Sequence, residues 1–480
     1  MTRVRRMAWR AASAALGIAG LAAPAYGQLL TRSETQTNYS PESVVTADFN
    51  RDGKMDIAVA SVAADFQVQV FLGNGDGTFG RPLTLDYEVA SAPIAVGDLN
   101  NDGIPDLVAV NQDSGFVSVM LGKGDGTFRA PVNYATPAGP ADIVLGDFNG
   151  DGNLDIATSD QYDNPCYCVS VLIGNGDGTF REPAIITDAP AHVEPRALVS
   201  GYFDGDKNLD LALAESFTSS GAVQIMLGNG DGTFRLGASY GVAAPELNSI
   251  AAADLRNNGK TDLVVGEFEG MGVVVLLGNG DGTFEQPVLY DISSPLGVAT
   301  ADFNGDGIPD IVASSIGADA GFTGVLLGKG DGTFGKATLY STGVFPWGVA
   351  TADFNGDHLI DVVVVDLETN QAFTLLNTGV VSFSPTTEIT FKKQRHGTTS
   401  PPQTVTLTNT GKSSLKISSM KATGQFGMTT TCEASVAPGA NCTIKVTFSP
   451  QTQGAKSGTV SIDDSASTKP QVIALSGDGT

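Results

Sequence analysis

The sequence predicts an all-β chain, a seven-bladed β-propeller followed by an immunoglobulin-like β-sandwich. Three observations carry this. An acidic nine-residue pattern recurs seven times. A Gly-Asp-Gly-Thr-Phe segment follows each of the first six copies. The last hundred residues lose both patterns and alternate Thr/Ser with apolar residues. No stretch sustains helical periodicity, and 59 glycines in 480 residues favour turns over charged helix faces.

The pattern begins at Asp48, Asp98, Asp147, Tyr202, Asp254, Asp302 and Asp353, at spacings of 50, 49, 55, 52, 48 and 51 residues. Such a period identifies a repeat architecture. Each unit resolves into four short strands: an apolar one entering the acidic loop (Ser43 to Ala47), one leaving it (Asp56 to Ala60), a third (Val68 to Leu72), and a fourth starting at Thr78-Phe79. The Gly-Asp-Gly turn reverses the chain because glycine accepts positive φ. Four strands per unit make a propeller blade. The seventh unit has no Gly-Asp-Gly-Thr-Phe segment after Asn377. The segment from Leu29 to Pro41 is expected to supply its fourth strand and so remove a free edge.

Loops one, two, three and six read Asp-x-Asn-x-Asp-Gly-x-x-Asp, an oxygen-ligand spacing suited to Ca²⁺, which takes six to eight oxygens. Positions 1, 3, 5 and 9 offer side chains, position 7 a backbone carbonyl. The expected ligands are Asp48, Asn50, Asp52, Lys54 and Asp56 in loop one; Asp98, Asn100, Asp102, Ile104 and Asp106 in loop two; and Asp147, Asn149, Asp151, Asn153 and Asp155 in loop three. Loop six offers Asp302, Asn304, Asp306, Ile308 and Asp310, and loop seven Asp353, Asn355, Asp357, Leu359 and Asp361. In loop seven His358 replaces the glycine, a substitution that positive φ tolerates. Loop four has Tyr202 at position 1, leaving Asp204, Asp206 and Asp210. Loop five has Arg256 and Asn258 where oxygen ligands belong, and Arg256 is expected to bridge Asp254 and Asp262 in place of a cation. Metal-free Asx turns are the competing reading, but three crowded carboxylates without a cation repel one another.

These loops, together with Asp-Gly-Thr-Phe, resemble the FG-GAP (VCBS-type) repeats of the integrin α-subunit propeller and its bacterial secreted relatives, over about residues 40–376. The resemblance implies structural Ca²⁺ within the blades. Residues 381–480 resemble Hydin-type immunoglobulin-like domains. The residues that carry this are Ser382-Phe383-Ser384-Pro385, Asn409-Thr410-Gly411, Phe448-Ser449-Pro450 and Leu475-Ser476-Gly477. About seven short strands are expected there.

Residues 1–27 read as a secretory signal. Four arginines precede an apolar run, and Ala25-Tyr26-Gly27 fits a cleavage site. The run is too short to span a bilayer. The expected domains are thus a signal (1–27), a propeller (28–380) and a sandwich (381–480), in an exported chain that is extracellular, at the cell surface or periplasmic. In such a compartment Cys432 and Cys442 are expected to pair. Cys166 and Cys168 flank Tyr167, at the distance limit for a bridge.

The net charge of −25 disfavours nucleic acid and anionic lipid. The three histidines, His192, His358 and His396, share no zinc spacing. Trp347 is expected to pack between blades rather than to mark a channel mouth. The resulting expectation is a monomeric, non-enzymatic, calcium-binding module that adheres to an extracellular protein or glycan. A structural surface scaffold and an exported polysaccharide-acting enzyme are the alternatives. The ligand itself is not readable from the fold.

Overall fold

The computed structural model describes residues 29–480 except 63–66, 86–92, 137–138, 161–167, 187–193, 217–219, 245, 269–271, 318–319, 378, 380, 385–387, 411–413 and 466–469. The expected signal, His192, Cys166 and the side chain of Cys168 lie outside the described residues. Among the described residues there is no helix, and so none long and apolar enough to cross a membrane.

Each of the first six repeats forms one four-stranded antiparallel sheet, its strands in sequence order. Repeat one is typical: Pro41–Ala47, Asp56–Ser61, Val68–Phe71 and Leu83–Leu85. The second strands are buried along their whole length, as Asp56–Ser61 and Asp106–Asn111 are, because each lies between two neighbouring sheets. The fourth strand starts later than the sequence suggests. Phe79 makes only an isolated bridge to Gly73, and regular pairing resumes at Leu83. Repeat four is different: Phe234–Val242 runs on without a break.

A separate apolar core fills each junction between consecutive sheets. Phe49, Ala58, Val70, Leu107 and Phe128 fill the first, and Phe148, Ala157, Leu211 and Met226 the third. Repeat seven meets repeat one in the same way, through Phe354, Val363, Val365, Val44, Ile57 and Phe71. Its strand Pro346–Ala352 packs on Pro41–Ala47. The succession of sheets therefore closes on itself, as a propeller requires.

Closure uses the start of the chain. Leu29–Gln36 pairs antiparallel with Gln371–Asn377, from Leu29 opposite Asn377 to Gln36 opposite Gln371. It is the fourth strand of repeat seven. Leu29 is buried among Phe303, Val325, Val362 and Phe373.

After Asn377 the pattern changes. Val381–Ser384, Gln403–Asn409, Asn441–Phe448 and Phe426–Thr430 form one sheet. Glu388–Thr390, Gln471–Gly479, Gly454–Asp464, Leu415–Ala422 and Ser435–Val436 form a second. Among the described residues nine strands are present where about seven were expected, because Glu388–Thr390 and Ser435–Val436 are short edge additions. Alternate residues of Gln403–Asn409 and Asn441–Phe448 turn inward. They meet Phe383, Val460, Ile473 and Phe426 in a single core. Cys432 and Cys442 are joined by a disulfide, with Cα atoms 4.8 Å apart.

Candidate metal centres in the repeat loops

Six of the seven loops share one backbone. Position 4 is left-handed in every loop, including Arg51 (φ 60°), Asn101 (58°) and Asn257 (50°). Position 6 is left-handed in six, including His358 (68°). The two left-handed residues turn successive N–H groups inward, onto the carboxylate of position 1. In loop one Asp48 accepts from Asp52 N at 3.0 Å and Gly53 N at 2.8 Å. Asp98, Asp147, Asp254, Asp302 and Asp353 hold the same two amides. Position 5 then caps position 7: Asp52, Asp102, Asp151, Asp306 and Asp357 accept from the N–H of Lys54, Ile104, Asn153, Ile308 and Leu359.

Position 9 does something the sequence reading missed. Asp56, expected as a ligand, is fully buried, and both its oxygens accept backbone N–H groups. One comes from Phe49 at 2.9 Å, the other from Gly73 at 2.7 Å. Every repeat does the same, up to Asp361 with Phe354 and Asn377. The aspartate is a strut tying the acidic loop to the end of the third strand. Position 2 was also passed over. Its Phe or Leu is buried in all seven repeats. Phe49, Phe148 and Phe203 meet the hairpin phenylalanine of the next repeat edge to face, at 5.5–5.7 Å between ring centroids. The invariably apolar x at position 2 was the available signal.

Neighbouring repeats are also tied by the hairpins. Gly126 N donates to Phe49 O, Gly178 N to Leu99 O, Gly232 N to Phe148 O and Gly282 N to Phe203 O. Gly77 N reaches Phe354 O of repeat seven at 3.1 Å.

Burial pushes Asp56, Asp106 and Asp155 up to about 6, Asp310 to about 7 and Asp361 to about 8. The carboxylates at positions 1 and 5 of the same loop add to the rise. Three mutually repelling carboxylates plus amide and peptide oxygens are the donor chemistry a hard cation such as Ca²⁺ takes. The residues of loops one, two, three, six and seven fit that group chemically. Among the described residues no three acidic, His or Cys side chains converge closely enough to outline a metal position.

Loops four and five depart from this. Tyr202 is exposed and leaves the position-1 clamp unmade, and Lys207 at position 6 is not left-handed. Asp204 pairs with Arg235 at 3.2 Å. In loop five Arg256 donates to Asp262 Oδ1 at 2.6 Å and to Gly278 O at 2.6 Å. The expected bridge to Asp254 does not form, because the Asp254 carboxylate is taken by Asn258 N and Gly259 N. Burial raises Asp262, and Arg256 pulls it back. Trp347 stacks on Phe345 at 5.8 Å and packs against Phe268, Leu296 and Ile316, between sheets.

The family described as FG-GAP-like repeat matches residues 48–109, 98–158, 202–265 and 257–313. The family described as Abnormal spindle-like microcephaly-assoc'd, ASPM-SPD-2-Hydin, matches 378–472. No curated protein sequence matches the chain. Among solved structures, BBS1N in complex with ARL6DN is similar at 12% identity and a TM-score of 0.49, covering 72% of this chain and 96% of that one. The Vibrio cholerae biofilm matrix protein Bap1 is similar at 15% identity and a TM-score of 0.42, covering 73% and 90%. A PapD-like domain of human CEP192 is similar at 15% identity and a TM-score of 0.18, covering 21% and 85%.

Proposed function

Because the chain is an FG-GAP-repeat protein with a C-terminal ASPM-SPD-2-Hydin domain, we propose that it is an exported, calcium-stabilised, seven-bladed propeller. The propeller carries an immunoglobulin-like sandwich, and the protein acts as a binding or adhesion module for an extracellular protein or glycan. The observation that carries the calcium reading is the recurring loop. In five repeats a position-1 aspartate preorganises the backbone, and two further carboxylates stand beside it.

Asp48, Asn50, Asp52, Asp56 and the Lys54 carbonyl would hold the ion in loop one, with the corresponding residues in loops two, three, six and seven. A bound cation would offset the mutual repulsion of each loop's carboxylates. Asp48 and its counterparts orient the loop amides. The position-9 struts carry the loop's shape to the third strand. The role is structural, and the binding surface is then built by loops on a rigid ring.

The test is thermal unfolding and elemental analysis. Calcium stabilises a state that binds it by mass action, so EDTA is expected to lower the propeller transition and leave that of the C-terminal unit in place. Equal melting with and without calcium would sink the metal reading. A glycan and protein array with the calcium-loaded chain tests the binding reading, and a chain that retains nothing would leave a scaffold.

A further inference from the structure

We infer that repeats four and five carry their own cations, as the guanidinium groups of Arg235 and Arg256, and that calcium loading therefore stops at loops one, two, three, six and seven. This rests on reading those five loops as calcium loops. It concerns how the two consecutive repeats differ from them.

The two repeats reach the same end by opposite routes. At position 3, loop four presents the carboxylate of Asp204 and loop five the guanidinium of Arg256. The residue after the hairpin phenylalanine faces each of them. It is Arg235 in repeat four, 3.2 Å from Asp204, and Glu285 in repeat five, 4.0 Å from Arg256. The charges have been exchanged between two equivalent positions. Arg256 goes further: it is largely buried, and it grips both oxygens of the fully buried Asp262 strut as well as the Gly278 carbonyl. It thus ties loop to third strand, the connection the strut makes in every repeat. A planar guanidinium suits this two-oxygen grip better than a lysine would.

Each loop has also lost a part a metal needs. Loop four lacks the position-1 carboxylate, because Tyr202 stands there, and lacks the left-handed turn at position 6. Loop five lacks the position-5 carboxylate, where Asn258 caps Lys260 N instead. Among the described residues, no arginine or lysine is bonded to a carboxylate of loops two, three or six. In loop one the exposed Lys54 pairs only with Asp52 at 3.2 Å.

Hydrogen-exchange mass spectrometry of the full chain, in EDTA and in calcium, tests this. Calcium is expected to protect 48–56, 98–106, 147–155, 302–310 and 353–361, and to leave 202–210 and 254–262 unchanged. Comparable protection of the last two overturns the inference. A response nowhere in the ring sinks the calcium reading instead, and the arginines are then judged alone. In EDTA, Arg256→Ala should speed exchange in 254–262 on the order of a hundredfold, and Arg235→Ala should speed it in 202–210 by less than about tenfold. Unaltered exchange in both variants overturns the inference. If Arg256→Ala does not fold, Arg256→Lys serves. It keeps the charge, loses the two-oxygen grip, and should give a smaller acceleration confined to 254–262. The paired change Arg256→Asn with Asn258→Asp should add one calcium ion by native mass spectrometry. If it adds none, the guanidinium is not what excludes the metal, and the inference falls.

Discussion

The side-chain amide of Asn377 donates to the carbonyl of Phe303 at 2.7 Å. In repeats one to five a hairpin glycine donates to that carbonyl's counterpart in the preceding repeat. Repeat seven has no hairpin, and a side chain takes over its hydrogen bond. The same amide reaches Ile360 O at 3.1 Å.

Asn377→Leu should therefore destabilise the ring by about 1–3 kcal/mol, the cost of leaving buried carbonyls without donors. Urea unfolding measures it. A change under about 0.5 kcal/mol, usual for an uninvolved surface site, would show the amide to be a bystander.

Removing residues 29–36 strips the last strand from repeat seven and bares the Gln371–Asn377 edge. Unpaired edges recruit other chains. Light scattering should find dimers or larger species, and a synthetic peptide of sequence 29–36 should return the monomer. A truncated chain that stays monomeric at unchanged stability contradicts this.

Asp106→Asn in EDTA isolates the strut from any bound ion. Both Asp106 oxygens accept N–H groups, from Leu99 and Gly122. An asparagine has one acceptor oxygen and must point its NH₂ at the second donor. The expected cost is about 1–3 kcal/mol, and no measurable loss in EDTA would assign Asp106 to metal binding alone.

Glu215 carries a pH dependence. It is 1% exposed, and burial raises it from 4.5 to about 7. The folded chain holds this proton more tightly than the unfolded one, so its stability is full below about pH 4.5 and falls as pH rises towards 7. Glu215→Gln removes the titration. Melting at pH 8 should show the variant more stable by about 3 kcal/mol, shrinking to nothing near pH 4.5. A difference that does not vary with pH would place the cause elsewhere.

The period near fifty, the four strands per repeat and the N-terminal closing strand could be read directly, because hydrophobic runs and glycine turns are local signals. His358 takes the left-handed turn expected of it. The strut role of Asp56 could not be read: a buried carboxylate that accepts two amides and a metal ligand look alike in a one-letter code. The Arg235–Asp204 pair joins residues 31 apart, which local pattern does not reveal. Arg256 was recognised as a charge in the wrong place. Of its two expected partners Asp262 is found, and the expected bridge to Asp254 does not form, because the backbone has already taken the Asp254 oxygens.

The strand that closes the ring is made before the other described strands of the ring. Ser33 and Thr374, paired across that last sheet, lie 341 residues apart. At about 5–20 residues per second, the early strand waits on the order of half a minute for its partner to be synthesised. Joining the ends of so long a segment costs roughly 5 kcal/mol of chain entropy, so the other sheets must stack first and bring the two ends together. The slowest and most vulnerable moment of this protein's life is therefore the interval in which six sheets are complete and the seventh lacks its edge.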